Sequence, residues 1–166
     1  ERLADGTYQS LPPSEVIGIL NDLVLDEMET EHYFTLLIAD VNLVTGEMIL
    51  GQAGQPHPAV QRADGSVEQN GTGGFPVGLM SGIKFEQFKI QLRQGDRILI
   101  LSDGVTECPD PDGEMFEEEG LERLMSDLCN VKGPAFLDAL IWHLTSFAES
   151  DDFPDDVSGI LFEFSG

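Results

Sequence analysis

Positive charge is what this sequence has least of. Of its 166 residues only 8 are Lys or Arg, against 31 Asp or Glu, for a formal net charge of -23. Binding to nucleic acid or to an anionic membrane surface needs clustered Lys and Arg, so neither is expected as a partner. The acidity reads as a soluble surface, with part of it available to divalent cations or to a basic partner. Cysteine is also scarce: Cys108 and Cys129 are the only two, with no CxxC or zinc-type spacing. That excludes a disulfide scaffold and leaves two free thiols in a protein expected to be cytoplasmic. No apolar run approaches the roughly 18 residues that span a membrane. No basic-then-apolar leader opens the chain either. An initiator Met is absent, because Glu1 comes first. The chain is therefore expected to be a segment of a longer protein, and the missing leader says little about that parent.

Several catalytic signatures are missing as well. His32, His57 and His143 are scattered, none with a second His or Cys at ligand spacing, so they read as surface or core histidines. Ser14, Ser102 and Ser158 lack the GxSxG setting of a hydrolase nucleophile. The glycines of 71–78 do not form a phosphate-cradling GxxxxGK[ST] loop.

What is present is a foldable chain. Hydrophobic residues make up 41% and charged residues 23%, close to globular norms, and the length suits one domain over residues 1–166. Pro12-Pro13-Ser14-Glu15 reads as a helix start, and Ile17, Leu20, Leu23, Val24 and Met28 recur at helical spacing, predicting an amphipathic helix over 13–30. Tyr33 to Val41 and Glu47 to Ala53 flank a Thr45-Gly46 turn as two strands of a hairpin. A third strand is expected at 57–62, before an Asp64-Gly65 turn. Five glycines and a proline in 71–82 predict a loop. Phe85 to Leu92 alternates, and Gly95-Asp96 turns it back into Arg97 to Leu101, whose apolar density predicts a strand buried on both faces. Beyond Asp103-Gly104 a loop is expected, then helices over 117–129 and 134–149, with Trp142 packed within the second. A last strand covers 157–164. This succession is an α+β pattern with mainly antiparallel sheet.

Two places carry chemistry. In Leu101-Ser102-Asp103-Gly104 a buried strand ends in an acid followed by glycine. A carboxylate there needs something to offset its desolvation, and glycine lets backbone approach it closely. The alternative is an ordinary Asp-Gly turn. Asp155-Asp156 stands at the entry to the last strand, and adjacent carboxylates invite a hard divalent cation such as Mg²⁺ or Mn²⁺. Here the alternative is a solvated acidic loop, since Asp151 and Asp152 continue the run.

In order, Phe34-Thr35-Leu36-Leu37, Thr45-Gly46-Glu47, Ala53-Gly54-Gln55-Pro56, Phe75-Pro76-Val77-Gly78-Leu79, Gln94-Gly95-Asp96-Arg97, Leu101-Ser102-Asp103-Gly104-Val105-Thr106-Glu107, Asp112-Gly113-Glu114-Met115-Phe116 and Asp155-Asp156-Val157-Ser158 resemble the metal-dependent (type 2C) serine/threonine protein phosphatases. The branch they resemble is that of the stage II sporulation phosphatase and the stress-response sigma-factor regulators. Order and spacing over residues 33–164 carry the likeness, with Ser102 to Glu107 the most specific piece. The resemblance implies two packed, mainly antiparallel β-sheets flanked by helices, an α-β-β-α arrangement. It also implies a centre of two Mn²⁺ or Mg²⁺ ions, with Asp103 and Asp155 as ligands and Asp156 as the lesser candidate of its pair. Such ions, roughly 3.5 to 4 Å apart, activate a bridging water that attacks the phosphorus of a phosphoserine or phosphothreonine.

Further expectations follow from that family. The substrate is a phosphorylated regulatory protein of a sigma-factor pathway, the input an N-terminal sensor or receiver domain in the parent, and the parent admits a homodimer. The family's remaining ligands lie in an early Gly-Asp strand and an Ala-Asp-Val-x-Gly-His-Gly-like segment, and neither occurs here. The N-terminal strands and first helix of the domain are thus expected to be missing, and this segment alone to be inactive. Gln55 stands where the family commonly has His, and Gly159 falls in a strand that is usually aliphatic. The competing expectation is a phosphatase-like adaptor without catalysis in a two-component or partner-switching pathway.

Overall fold

Proline in the first turn of a helix gives up no intrahelical hydrogen bond, and the first helix begins where that places it. In a computed structural model of the chain, which describes residues 10–27 and 32–166, the order of elements is α1 (Pro13–Glu27), β1 (Leu36–Val41), β2 (Glu47–Ala53), β3 (Ala59–Gln61), β4 (Val67–Gln69), β5 (Gln87–Gln91), β6 (Arg97–Leu101), α2 (Asp103–Thr106), α3 (Glu117–Asp127), α4 (Pro134–Ala148) and β7 (Gly159–Glu163). The expected extension of the first helix to residue 30 lies outside the described residues. None of the described helices is long and apolar enough to cross a membrane. The chain divides into two compact units, Glu1–Gln55 with Gly71–Gln91 and Pro56–Asn70 with Leu92–Gly166.

In the first unit α1 lies against an antiparallel sheet of order β1-β2-β5. Ile17 is fully buried with Ala53 and Val77, and Leu20, Val24, Leu36, Ile38 and Phe85 pack around them. A Cβ on Gly51 would stand 2.8 Å from Ile17 Cδ1, so glycine is what allows this helix to lie so close to β2. The glycine-rich stretch is a loop, as predicted, and two side-chain amides hold it. Asn21 accepts the Gly78 N–H at 2.9 Å and donates to the Met80 carbonyl at 3.2 Å. Gln52 Oε1 accepts the N–H groups of Thr72 and Gly73. The first strand starts later than expected, at Leu36, and Phe34 forms only an isolated bridge with Val77.

The second unit is an antiparallel sheet of order β4-β3-β6-β7. Four of the five residues of β6 are buried and Ile100 is half-buried, which agrees with its apolar sequence. Leu99 and Leu101 share a core with Val105, Phe116, Leu121, Leu124, Met125, Phe136, Leu140 and Leu144. Together the two units are α+β: two antiparallel sheets with flanking helices.

Three details depart from expectation. The residues after the β6 strand are not loop at once, since Asp103–Thr106 form one helical turn in which the Glu107 N–H reaches the Asp103 carbonyl at 2.8 Å. The Asp64-Gly65 turn leads into β4, a strand too short to stand out by alternation. Trp142 is not packed inside its helix layer but is 65% exposed, edge-on to His143. Helical period explains this: Phe136, Leu140 and Leu144 share the buried face, and residue 142 falls on the far side of the same turns.

Candidate metal centre

Antiparallel pairing puts the exit of β6 beside the entrance of β7, with Leu101 opposite Gly159. Gly159 opens the strand, and a Cβ there would come within 2.6 Å of Leu101 Cδ2, so a side chain at this position would require Leu101 to change rotamer. Past this last pair the two chains stay fastened. The Ser102 N–H donates to the Ser158 carbonyl at 2.9 Å, the Ser158 N–H donates to Ser102 Oγ at 2.9 Å, and Ser102 Oγ donates to the Asp156 carbonyl at 2.8 Å. Gly104 completes the approach, because a Cβ on it would lie 2.6 Å from the Asp156 carbonyl oxygen. The fold therefore brings the segment bearing Asp103 against the segment bearing Asp155 and Asp156.

All three acids are exposed. Asp103 Oδ1 accepts the Gly104 N–H at 3.1 Å and Asp155 Oδ1 accepts the Asp156 N–H at 2.7 Å. The second oxygen of each, and the whole Asp156 carboxylate, make no hydrogen bond to the described residues. The desolvated carboxylate expected at Asp103 is not found: the β6 strand ends two residues earlier, and the turn of α2 carries the acid out of the buried layer. No three His, Cys, Asp or Glu side chains come together anywhere among the described residues. The histidines have neighbours of their own. His57 Nδ1 meets Glu118 Oε1 at 3.0 Å, His143 lies beside Trp142, and His32 is exposed.

The donor set fits a hard divalent cation. Carboxylate oxygens, open to water and held on a backbone cradle that only glycine at 104 allows, suit Mg²⁺ or Mn²⁺, which keep several waters and take few protein ligands. They do not suit zinc, which favours nitrogen and sulfur. The segments bearing Asp103 and Asp155–Asp156 meet through their backbones, while the three carboxylates do not themselves close into a metal-holding group among the described residues.

The buried carboxylate of this unit sits elsewhere, and sequence reasoning passed over it. Asp96, with a side chain 2% exposed, accepts the N–H groups of Arg93 and Ala63 and a guanidinium N–H of Arg62. Next to it the buried Arg97 donates to Gln61 Oε1 and to the carbonyls of Leu128 and Val131. Its guanidinium carbon stands 4.3 Å from the Phe136 ring centroid. Burial pulls its pKa below the usual arginine value. A concavity of about 670 Å³ opens here, lined by Arg62, Asp96, Arg97 and Lys132 among others, but both arginines are already committed to the partners just named and to Glu68. The available signal was the Gly95-Asp96-Arg97 turn, an acid and a base at the start of a strand whose other residues are apolar. Gln55, which departs from the His common at this place in the resembled family, donates to Thr35 Oγ1 at 2.8 Å. Cys108 and Cys129 are free thiols, and burial raises the pKa of Cys108.

Comparison with known proteins agrees with this architecture. The chain is 28% identical over 116 residues to the phosphoserine phosphatase RsbU of Bacillus subtilis, an alignment covering 69% of this chain and 34% of that protein. It thus spans about a third of the length of its curated relative. Among solved structures, the SiaA PP2C domain of Pseudomonas aeruginosa superposes with a TM-score of 0.81 at 14% identity, covering 92% of this chain and 61% of that one. The Mn-presoaked phosphatase domain of the cell-fate determinant SpoIIE from Bacillus subtilis gives 0.72 at 19% identity, covering 95% and 68%. These likenesses show the fold. Residues 3–165 match the model of the stage II sporulation protein E (SpoIIE) family, and the chain belongs to that family.

Proposed function

We propose that this chain contributes one side of a two-ion centre in a metal-dependent phosphoserine/phosphothreonine protein phosphatase. The observation that carries the proposal is the fastening of the β6 exit to the β7 entrance, which brings together the segments bearing Asp103 and Asp155–Asp156, with one oxygen of Asp103 and one of Asp155 free of hydrogen bonds. Family membership and the likeness to a phosphoserine phosphatase support it. Asp103 and Asp155 would hold the ions, with Asp156 in reserve. Mn²⁺ or Mg²⁺ bound there supplies a water of lowered pKa and neutralises phosphate oxygens. The Gly104 N–H occupies one oxygen of Asp103 and the Asp156 N–H one oxygen of Asp155, and the other oxygen of each is left to a ligand on this reading.

On this reading the substrate is a phosphorylated regulator of sigma-factor activity in a bacterial stress or developmental response, and the protein works in the cytoplasm. An N-terminal sensor or receiver domain supplies the input. The large negative charge suits a partner with a basic docking surface and opposes nucleic acid. One observation favours a second reading, a phosphatase-like adaptor without catalysis: among the described residues no three His, Cys, Asp or Glu side chains gather into a group that could hold a metal.

Hydrolysis of a phosphoserine protein by the full-length protein with Mn²⁺ distinguishes them. Asp103→Asn is expected to lower turnover at least about a hundredfold, since even a residue that only orients a ligand is worth about 10- to 100-fold at such centres. Equal rates for wild type and variant would remove Asp103 from the centre. No Mn²⁺-dependent turnover in the wild type would leave the adaptor.

A further inference from the structure

A single side chain ties the two acid-bearing segments together. Beyond the Leu101–Gly159 pair, the Ser102 hydroxyl both donates to the Asp156 carbonyl and accepts the Ser158 N–H. It therefore satisfies two main-chain groups at the point where the β7 chain leaves the ladder. The segment it grips has no helix or strand of its own from Ser150 to Ser158 and carries Asp151, Asp152, Asp155 and Asp156. These acids are like charges, so their mutual repulsion and their repulsion of Asp103 work against holding the segment at the β6 exit, though water screens it. Phe153 and Val157 anchor it by partial packing on the core, but neither reaches the Asp156 carbonyl.

We propose that Ser102 is a positioning residue for the metal centre: its hydroxyl holds the Asp155–Ser158 segment against the end of β6 and so sets the spacing of Asp103 and Asp155 before the ion binds. This rests on the metal reading above. Removing the hydroxyl leaves the ladder intact, because Ser102 still donates its own N–H to Ser158 and Leu101 still pairs with Gly159. The loss falls on preorganisation, so it registers as weaker ion binding instead of unfolding.

Ser102→Thr and Ser102→Val separate the hydroxyl from side-chain size, since the two differ by one hydroxyl in place of one methyl. In the full-length protein, Mn²⁺ dissociation constants are measured by titration calorimetry and by electron paramagnetic resonance of the free ion, and exchange of the Ser158 amide is followed in deuterium. The threonine variant is expected to bind Mn²⁺ within about twofold of wild type and the valine variant about tenfold more weakly, the part of the two lost hydrogen bonds that falls on preorganisation. The Ser158 amide should exchange faster in the valine variant alone. Ser146→Ala, which removes a hydroxyl bonded only to the Trp142 carbonyl on α4, should change nothing. Equal Mn²⁺ affinity in the valine and threonine variants, whether high or low, overturns the proposal. Asp103→Asn tests the reading beneath it. If that variant loses Mn²⁺ while Ser102→Val keeps it, only the positioning role fails. If it binds Mn²⁺ like wild type, the metal assignment fails too.

Discussion

The β6 strand has charge at both ends, and the protein treats the two ends in opposite ways. At its start Asp96 and Arg97 are buried, and each of their hydrogen-bonding groups has a protein partner: main-chain N–H groups and Arg62 for the acid, Gln61 and two loop carbonyls for the base. At its far end Asp103, Asp155 and Asp156 are exposed, partnered only by the N–H of the next residue or by nothing, and held in place through backbone and one hydroxyl. A buried charge with a full set of partners is structure, since removing either side leaves polar groups stranded in a low-dielectric interior. An exposed charge on a fastened backbone with oxygens to spare is available for a ligand. The difference separates the residues that keep this unit folded from those whose oxygens are left open to a ligand.

The largest test of that contrast is Arg97→Met. It strands Gln61 Oε1 and the carbonyls of Leu128 and Val131 and gives up the contact with Phe136. The expected cost is about 3 kcal/mol of stability in urea unfolding, against less than about 0.5 kcal/mol for Asp103→Asn without metal. Similar losses in the two would break the comparison. Gly104→Ala comes next, because it forces a methyl group against the Asp156 carbonyl at 2.6 Å. It should cost about 1 to 2 kcal/mol by the same measurement, and a neutral result would mean the two segments are not tightly apposed.

The smallest effect lies at the buried end. The hydrogen bond from Arg62, before all other causes, holds the Glu68 carboxyl below its ordinary value of 4.5. A carboxyl whose pKa is depressed on folding stabilises the fold above the unfolded value and loses that contribution as pH falls through the folded one. The stability difference between wild type and Glu68→Gln should therefore shrink as pH is lowered from about 6 to about 3. With the Glu68 side chain 49% exposed, solvent screening limits the change to a few tenths of a kcal/mol. A difference that grew on acidification would contradict the pairing.

Local pattern carried much of this fold into view. Period and punctuation located α1, the β1–β2 hairpin, the glycine-rich loop, β6 and both long helices, because each is written in a few neighbouring residues: Pro13, Thr45-Gly46, the glycines of 71–82, the run Arg97 to Leu101. The errors share a cause. Trp142 was placed inside by its apolar neighbours Ile141 and Leu144, although the face a helix buries depends on what covers it. Desolvation was assigned to Asp103, at the exit of the buried strand, when the acid taken out of water is Asp96 at the entrance.

Of the site itself, the sequence by itself determined its chemistry: carboxylates at Asp103, Asp155 and Asp156, a glycine at 104, no thiol or imidazole partner at ligand spacing. Residue type is a local property, and so is the choice of hard oxygen donors that follows from it. Only the tertiary structure decided that the segments bearing them, so far apart in the chain, meet, which depends on antiparallel pairing of Leu101 with Gly159. It also decided that Ser102 is the side chain that grips both segments and that the acids stand in water. Those are consequences of strand register and of burial by distant helices, and no short window of sequence encodes either one.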